Sequence, residues 1–298
     1  GLQKRPHAAC RVLQHRQHPP GGVLAAFVLH RHGDAHGGDQ VVLVVVQRDG
    51  NAAVVHLELL FGNRPALALD LLEEVRDGRL VWQSVTLGAR DEEGGRVLVD
   101  GGHRDAIVRL GWEFNGSWFP WRAKGREGPW KAAWRRAVGA MRSVQGQAFL
   151  FDWTYTLSDH DATPVERAYP GDDVVDVIGA DFYHQTWFRD APGEALRWQR
   201  YRQAPRGLDW LSRFASERGK WISLPEWGTG HRPDGHGGGD SPAFVANTLH
   251  WIGQNRVLYH AYWNYPARDY RAELSAEDLQ GARAAYVDGV RALLKKTK

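Results

Sequence analysis

The sequence predicts an α/β fold, and three observations favour a (β/α)8 TIM barrel. From residue 104 onward, short apolar runs alternate with segments whose apolar residues recur at helical spacing. The run Val174–Ala180 is apolar apart from Asp176, which is typical of parallel strands covered on both faces. The chain has 298 residues, whereas such a barrel needs about 250. We therefore expect a single domain over residues 1–298, built from right-handed βα units.

Residues 1–90 do not follow this pattern. Three apolar runs there are joined by loops and a hairpin turn, which predicts a meander of antiparallel strands: Val23–Leu29, Val41–Val46 and Ala53–Leu60. Pro65–Arg76 has the apolar spacing of a helix, and Leu80–Leu87 that of a strand. The front third of the barrel is thus expected to be irregular or incomplete. The histidine, arginine and glycine content of residues 1–90 also fits a GC-rich coding sequence read in a shifted frame. An alternative is therefore that this segment is not the native front of the barrel but a frame-shifted or otherwise foreign sequence.

Residues 96–298 give the regular βα units. Helix starts are indicated by Pro129, by Ser241 followed by Pro242, and by Ser275, because proline and serine suit first and capping positions. The helix Leu208–Arg218 is expected to end at Gly219. The predicted buried faces comprise Trp130, Trp134, Val138, Met141 and Val144 in one helix and Leu208, Leu211 and Phe214 in another. The predicted strands are Ala106–Gly111, Ala148–Thr154, Val174–Ala180, Trp221–Leu224 and Val257–Trp263.

Composition excludes several classes of protein. A net charge of +3 gives no basic surface of the kind that binds nucleic acid. We expect no membrane span, because no run of 18 apolar residues occurs. The single cysteine, Cys10, excludes an internal disulfide. The 14 tryptophans are several times the usual number and indicate aromatic platforms for a ligand.

The stretch Ile107–Trp121 carries the clearest chemical signal. An apolar strand runs directly into Glu113, which is surrounded by Trp112, Trp118 and Trp121. A carboxylate at the end of a buried strand loses hydration, so its pKa should rise toward the value that a general acid needs. The indole faces are suited to stacking on sugar rings, and the Asn115 amide to binding hydroxyls. The structural alternative for Glu113 is an ion pair with Arg109 in the core.

Other polar and aromatic residues also follow predicted strands. Asp181 and Tyr183 follow one strand, Glu226 and Trp227 a second, and Trp263 a third. The carboxyl ends of barrel strands meet at one face, where barrel active sites are built. Since Glu113 and Glu226 lie three βα units apart, we expect their side chains to approach across the opening.

Three motifs in order carry a family resemblance: Arg109–Trp121, Tyr169–Tyr183 and Leu224–Gly228. The first resembles the acid/base region, and the third the nucleophile strand, of glycoside hydrolase family 26, whose members include endo-β-mannanases. The resemblance covers roughly residues 96–298. It implies retaining, endo-acting hydrolysis of a β-linked polysaccharide without a cofactor. Glu226 would be the nucleophile, Glu113 the acid and then the base, and Tyr183 a hydrogen-bond donor to Glu226.

One residue departs from the family pattern. In the mannanases a histidine characteristically precedes the acid/base glutamate, whereas Trp112 stands there in this chain, so the preference for mannose is left open. A mannan-like or related β-glycan is the expected substrate. The residues expected to bind it are Trp112, Asn115, Trp118, Trp121, Trp153, Asp181, Tyr183, Trp227 and Trp263.

Two other functions are compatible with the sequence. A barrel with a defective front half would bind carbohydrate without turnover, because small displacements of catalytic groups cost about a hundredfold in rate. A metal-dependent hydrolase would use histidine clusters, either His30, His32 and His36 or the loop set His231, Asp234, His236 and Asp240. We expect a monomer. The cellular location is undetermined from the sequence, although a polymeric substrate favours secretion.

Overall fold

The computed structural model describes residues 103–119, 121–157, 165–187 and 193–296, preceded by one helix and the backbone of six strands. The strands are β1 (Val23–Ala25), β2 (Val41–Val44), β3 (Val46–Arg48), β4 (Ala52–Leu59), β5 (Leu69–Arg76), β6 (Val81–Ser84), β7 (Ile107–Leu110), β8 (Leu150–Thr156), β9 (Val177–Tyr183), β10 (Trp221–Gly228) and β11 (Val257–Tyr262). The helices are α1 (Asp91–Asp100), α2 (Glu127–Arg142), α3 (Glu194–Gln203), α4 (Leu208–Glu217), α5 (Pro242–Ile252) and α6 (Gln280–Lys296).

A nine-stranded sheet organises the molecule, in the order β11-β10-β9-β8-β7-β6-β5-β4-β2. The six strands from β6 to β11 are parallel to one another, whereas β2, β4 and β5 pair antiparallel, as do β5 and β6. The predicted α/β class with an incomplete front is therefore confirmed: the parallel strands form a half-barrel. Of the helices in the described part of the chain, none is long and apolar enough to cross a membrane.

The front strands confirm one prediction and contradict another. The predicted strands Val41–Val46 and Ala53–Leu60 contain β2 and β4, which pair antiparallel as expected, whereas Val23–Leu29 contains β1, which pairs with β3 in a separate two-stranded sheet. The predicted helix Pro65–Arg76 is wrong, because Leu69–Arg76 forms β5 and pairs with both β4 and β6. Leucines at helical spacing gave only a weak local preference, and strand pairing on two sides overrides such a preference.

The helices of the second half bury the predicted faces. In α2 these are Trp130, Trp134, Val138 and Met141, and Val144 is buried just beyond its end. The Ser241 hydroxyl accepts a hydrogen bond from the Phe244 amide at 3.2 Å, which caps α5 as expected. Two departures interrupt the predicted alternation. A short 3₁₀ helix, Val165–Ala168, lies between β8 and β9, and the unpredicted α3 precedes α4.

The strands send alternate residues to the two faces of the parallel sheet, as period two requires. On the inner face, Ile107, Val177 and Tyr259 form a small apolar layer separate from the main core. A polar layer follows it toward the strand ends, and a glycine leaves space for that layer. A Cβ on Gly179 would lie 2.4 Å from Ser223 Oγ, 2.5 Å from Thr154 Oγ1 and 2.8 Å from Asp152 Oδ1.

We predict that Gly179→Ala destabilises the fold by about 1–3 kcal/mol, because the added methyl overpacks the inner layer. The matched control is Gly139→Ala in α2, where nothing lies within 4 Å of the added Cβ. That change should stabilise the fold by about 0.5–1 kcal/mol through helix propensity. Denaturant unfolding measures both effects, and equal midpoints for the two variants would contradict the packing described for Gly179.

Candidate active site

Glu113 lies on a strained turn directly after β7. Gly111 and Glu113 have φ angles of 52° and 48°, and the Glu113 amide donates to the Thr154 carbonyl at 3.0 Å. A non-glycine residue in this left-handed region costs about 1–3 kcal/mol, so surrounding structure must impose it. The turn places the carboxyl at the carboxyl end of the sheet, with only 9% of the residue exposed.

The loop after Glu113 is held by two contacts. The Asn115 amide group donates to the Thr156 carbonyl and accepts from the Thr156 amide, both at 2.9 Å, which fixes the loop to the end of β8. The Trp118 indole folds back and donates to Glu113 Oε2 at 2.8 Å. Gly116 allows this, because a Cβ there would lie 2.4 Å from the Trp118 ring. Asn115 thus anchors the loop rather than presenting its amide to a ligand.

Burial raises the pKa of Glu113 from 4.5 to about 7, and the negative charge of Glu226 adds to the rise. The hydrogen bond from Trp118 and the positive charge of Arg109 act in the opposite direction. The carboxyl therefore keeps its proton close to neutral pH, where a general acid must hold one. Glu113 and Glu226 lie near enough for the charge of one to change the pKa of the other.

Glu226 reaches the same region from an irregular part of β10. The register of β10 against both neighbours shifts between residues 223 and 227, and such a bulge re-aims side chains. Its carboxylate accepts from Arg109 Nη1 at 3.1 Å and from the Tyr183 hydroxyl at 2.8 Å. Burial and the charge of Glu226 hold the pKa of Tyr183 well above its usual range, so the phenol remains a donor.

Arg109 joins these groups and is fully buried. Besides Glu226, its guanidinium donates to Asp181 Oδ2 at 2.7 Å and to Thr154 Oγ1 at 3.3 Å. Burial acts to lower the pKa of Arg109, but the charges of Asp181 and Glu226 outweigh burial and raise it. The proposed core pairing of Arg109 with Glu113 is therefore wrong. Arg109 was missed as a site residue, although a charge within an apolar strand indicates a buried partner.

A set of hydrogen-bonded hydroxyl groups around Asp152 holds the Thr154 hydroxyl that contacts Arg109. Thr154 Oγ1, which accepts from Arg109, itself donates to Asp152 Oδ1 at 2.8 Å. The other Asp152 oxygen accepts from Ser223 Oγ at 2.6 Å and from the Tyr259 hydroxyl at 2.5 Å. Since buried carboxylates are tolerated when their oxygens are hydrogen-bonded, this layer fixes the inner face of the sheet. The predicted site did not include it.

The remaining predicted residues divide into two groups. Trp112 and Trp121 pack together at 4.9 Å between ring centroids, and Trp121 donates to the Trp112 carbonyl at 2.8 Å. Trp118 is 52% exposed beside Glu113. The half-buried Trp263 meets the Tyr183 ring edge-on at 6.0 Å. Trp118 and Trp263 thus flank the two glutamates.

Besides Asn115, three predicted binding residues require correction. Trp153 and Trp227 have no exposed surface, because their rings project to the helix side of the sheet. Trp153 packs on Phe114 and Phe214, and Trp227 on Tyr262 and Phe244. Neither can stack on a sugar. Asp181 is equally buried and binds Arg109, so it orders the site from behind instead of meeting a ligand directly.

The metal-site alternative is also corrected where the structure describes it. Asp234 pairs with Arg232, and Asp240 accepts the backbone amides of residues 281 and 282 at the start of α6. His236 stacks on Trp187 at 3.9 Å. No group of three or more metal-ligating side chains occurs among the described residues. The other candidate set, His30, His32 and His36, lies outside the described residues.

We predict that Trp118→Phe raises the pKa of Glu113 above about 7, by about one further unit, because a hydrogen bond to the charged form is lost. NMR titration of the glutamate side-chain carboxyl carbons measures this pKa. Phe119→Leu is the control, since it changes the neighbouring ring and leaves the Trp118 bond intact. A pKa that is unchanged or lower in Trp118→Phe would show that the indole does not stabilise the carboxylate.

Comparison with known proteins agrees with this geometry. The sequence model of glycosyl hydrolase family 26 matches residues 103–194. A mannan endo-1,4-beta-mannosidase of Bifidobacterium adolescentis is 32% identical over 120 residues, which are 39% of this chain and 11% of that protein. The segment matched by the family model includes Arg109, Glu113, Asp181 and Tyr183, whereas Glu226 lies beyond it.

Solved structures show a related fold. GH26C from Muricauda sp. MAR_2010_75 superposes with a TM-score of 0.50 at 22% identity, covering 68% of this chain and 56% of that one. The β-mannanase BoMan26A from Bacteroides ovatus gives 0.47 at 24% identity, covering 64% and 51%. The chain thus spans about half the length of these structures. It carries a partial resemblance to glycosyl hydrolase family 26, which lies in the part that holds Glu113 and its neighbours.

Proposed function

We propose that the protein is a retaining, endo-acting glycoside hydrolase that cleaves a β-linked polysaccharide by double displacement. The observation that carries this proposal is the contrast between two neighbouring carboxyl groups. Glu113 has its pKa raised to about 7, whereas Glu226 accepts hydrogen bonds from a guanidinium and a phenol. Two carboxyl groups held in different environments are the requirement for acid and nucleophile roles at one glycosidic bond.

In the first step, Glu113 gives its proton to the departing glycosidic oxygen while Glu226 attacks the anomeric carbon. A lone pair of the Glu226 carboxylate forms the new ester bond, and the electrons of the broken glycosidic bond leave with the protonated oxygen. Tyr183 and Arg109 hold the carboxylate oxygens of Glu226 in position during the attack. In the second step, Glu113, now ionised, removes a proton from water, and the hydroxide oxygen displaces Glu226. Two inversions at the anomeric carbon give overall retention.

A mannan-like polymer is the proposed substrate. The mannosidase of Bifidobacterium adolescentis is named for this activity and is 32% identical to this chain over 120 residues. Trp118 and Trp263, which flank the glutamates, offer indole faces for successive sugar rings. Because Trp112 replaces the family's histidine, related β-glycans belong in the same substrate panel.

A carbohydrate-binding protein without turnover is the second candidate. The antiparallel pairing of β4 and β5, at a position where a complete barrel would continue its parallel strands, favours it. The two candidates predict different outcomes with a β-mannan and β-glucan panel. Release of reducing sugar, with the β-anomer appearing first by NMR, supports the hydrolase, whereas binding without any release supports the second candidate.

We predict that Glu113→Gln and Glu226→Gln separate the two chemical roles. Loss of the acid should lower polysaccharide turnover about 10²–10⁴-fold. Formation of the glycosyl ester from an aryl glycoside with an acidic phenol should persist, because that leaving group needs no proton. Glu226→Gln should abolish both reactions. Initial rates and the burst of released phenol measure these effects. Glu217→Gln, a surface change on α4, is the control, and full activity in either active-site variant contradicts the proposal.

We predict that kcat/KM falls above about pH 7, tenfold per pH unit at the limit, because Glu113 must carry its proton in the first step. Well below the pKa of Glu113 nearly all of the enzyme carries the proton on this carboxyl group, and that fraction decreases as pH rises through the pKa. Rates measured from pH 5 to 9 show this limb. In Glu113→Gln the limb should be absent, and its persistence there would assign it to another group.

A further inference from the structure

A second concave site lies on the outer, helical side of the half-barrel, away from the strand ends that carry the two glutamates. It is a groove of about 450 Å³ between α3, α4 and α5. This volume is within the range of roughly 300–1,000 Å³ that small-molecule sites occupy. In a regular barrel the helices of neighbouring units pack directly against one another. Here the unpredicted α3 forms one wall of a space between α4 and α5.

The helices present continuous polar stripes to this groove. On α5 its lining residues Asn247, His250 and Trp251 follow the spacing i, i+3, i+4, and Gln254 lies in the turn directly after the helix. On α4 the lining residues Asp209, Ser212 and Arg213, and on α3 Trp198 and Arg202, repeat the same spacing. The apolar stripes of α4 and α5 face the sheet instead. The groove is therefore lined mainly by polar side chains.

Several of these groups are held in fixed positions. Arg202 and Asp209 form a two-point pair, with both N to O distances at 3.1 Å. Ser212 Oγ donates to Asn255 Oδ1 at 2.7 Å, and Asn255 donates to the Trp251 carbonyl at 2.8 Å. A site whose polar groups are already ordered loses less conformational entropy when a ligand binds.

The chemistry of the lining selects the class of ligand. Trp198 provides the aromatic surface, because Trp251 is almost fully buried, and the half-buried Trp198 packs edge-on against Phe244 at 6.3 Å. The Asn247 and Gln254 amides each offer donors and an acceptor, as hydroxyl groups require. Arg202 is paired with Asp209, and the other basic groups of the lining, Arg213 and His250, are exposed to solvent, which weakens their attraction for an anion. An aromatic face combined with amides and a neutralised ion pair matches an uncharged, polyhydroxylated chain.

We propose that this groove binds a segment of a neutral polysaccharide and holds the polymer on the protein while the glutamate site acts on another segment. The proposal rests on the function proposed above only for the identity of the polymer. Attachment at a second site converts the next encounter with the cleft into an intramolecular event, so the local substrate concentration rises. The effect should be visible with long polymers and absent with short oligosaccharides.

The test uses the full chain carrying Glu226→Gln, so that the polymer is not consumed. Retardation in native gels containing soluble β-1,4-mannan or β-1,4-glucan gives the affinity for each polymer. Adding Trp198→Ala should weaken retardation about fivefold to tenfold, as expected for the loss of one aromatic contact. Gln254→Ala, an exposed change that does not threaten folding, should weaken it in the same direction. Trp221→Ala is the matched control, because Trp221 is 38% exposed outside the groove.

In the active background, Trp198→Ala should lower the rate on long polymer at low concentration by a similar factor and leave the rate on a short oligosaccharide unchanged. Retardation by both groove variants equal to that of the Trp221→Ala control overturns the proposal. The proposal is also overturned if the NMR signals of the groove tryptophan indoles shift on addition of inorganic phosphate but not on addition of either glycan. If the protein shows no hydrolysis at all, the gel experiment still decides whether the groove binds glycan.

Discussion

The buried guanidinium of Arg109 is the interaction on which the inner face of this protein depends. An isolated charge in such surroundings costs several kcal/mol, and removal of one partner of a buried pair is similarly expensive. Arg109 is tolerated because Asp181 and Glu226 accept from its two terminal nitrogens and Thr154 from Nε. Each partner comes from a different strand, so the charge ties β7, β8, β9 and β10 into one arrangement. The geometry of the candidate site is therefore also part of what specifies the packing of the sheet.

The same arrangement separates the environments of the two glutamates. Glu226 faces Arg109 and Tyr183, both of which donate to it. At Glu113, by contrast, burial and the charge of Glu226 dominate over the hydrogen bonds that the Trp118 indole and the Thr156 hydroxyl donate to it. Ionisation of Glu226 thus favours the proton on Glu113. This dependence between the groups results from their placement and does not require unusual chemistry in either side chain.

Much of this architecture was predictable from local patterns, and the rest was not. The parallel strands, the buried face of α2 and the cap of α5 follow from apolar spacing and terminal residues. β5 was predicted as a helix because pairing partners are invisible in a local window. α3 was missed because its sequence, Glu194–Gln203, has almost no apolar stripe. The partners of Arg109 lie 45, 72 and 117 residues away, and no pattern within one segment can reveal such contacts.

The tryptophan errors have a more instructive cause. Successive residues of a strand point to opposite faces, so a strand that sends Asp152 and Thr154 inward must send Trp153 outward. The same rule places Asp181 and Tyr183, two positions apart in β9, on one face of the sheet. At Glu226 a strict alternation from the inward-facing Ser223 would turn the carboxylate outward, and the bulge in β10 corrects this while directing Trp227 to the helices. Trp118 is not subject to this constraint, because it stands on the loop after β7. Of two adjacent residues at a strand end, only one side chain can therefore face the inner side of the sheet. In β8 and β10 this is the charged residue, and the tryptophan beside it faces the helices.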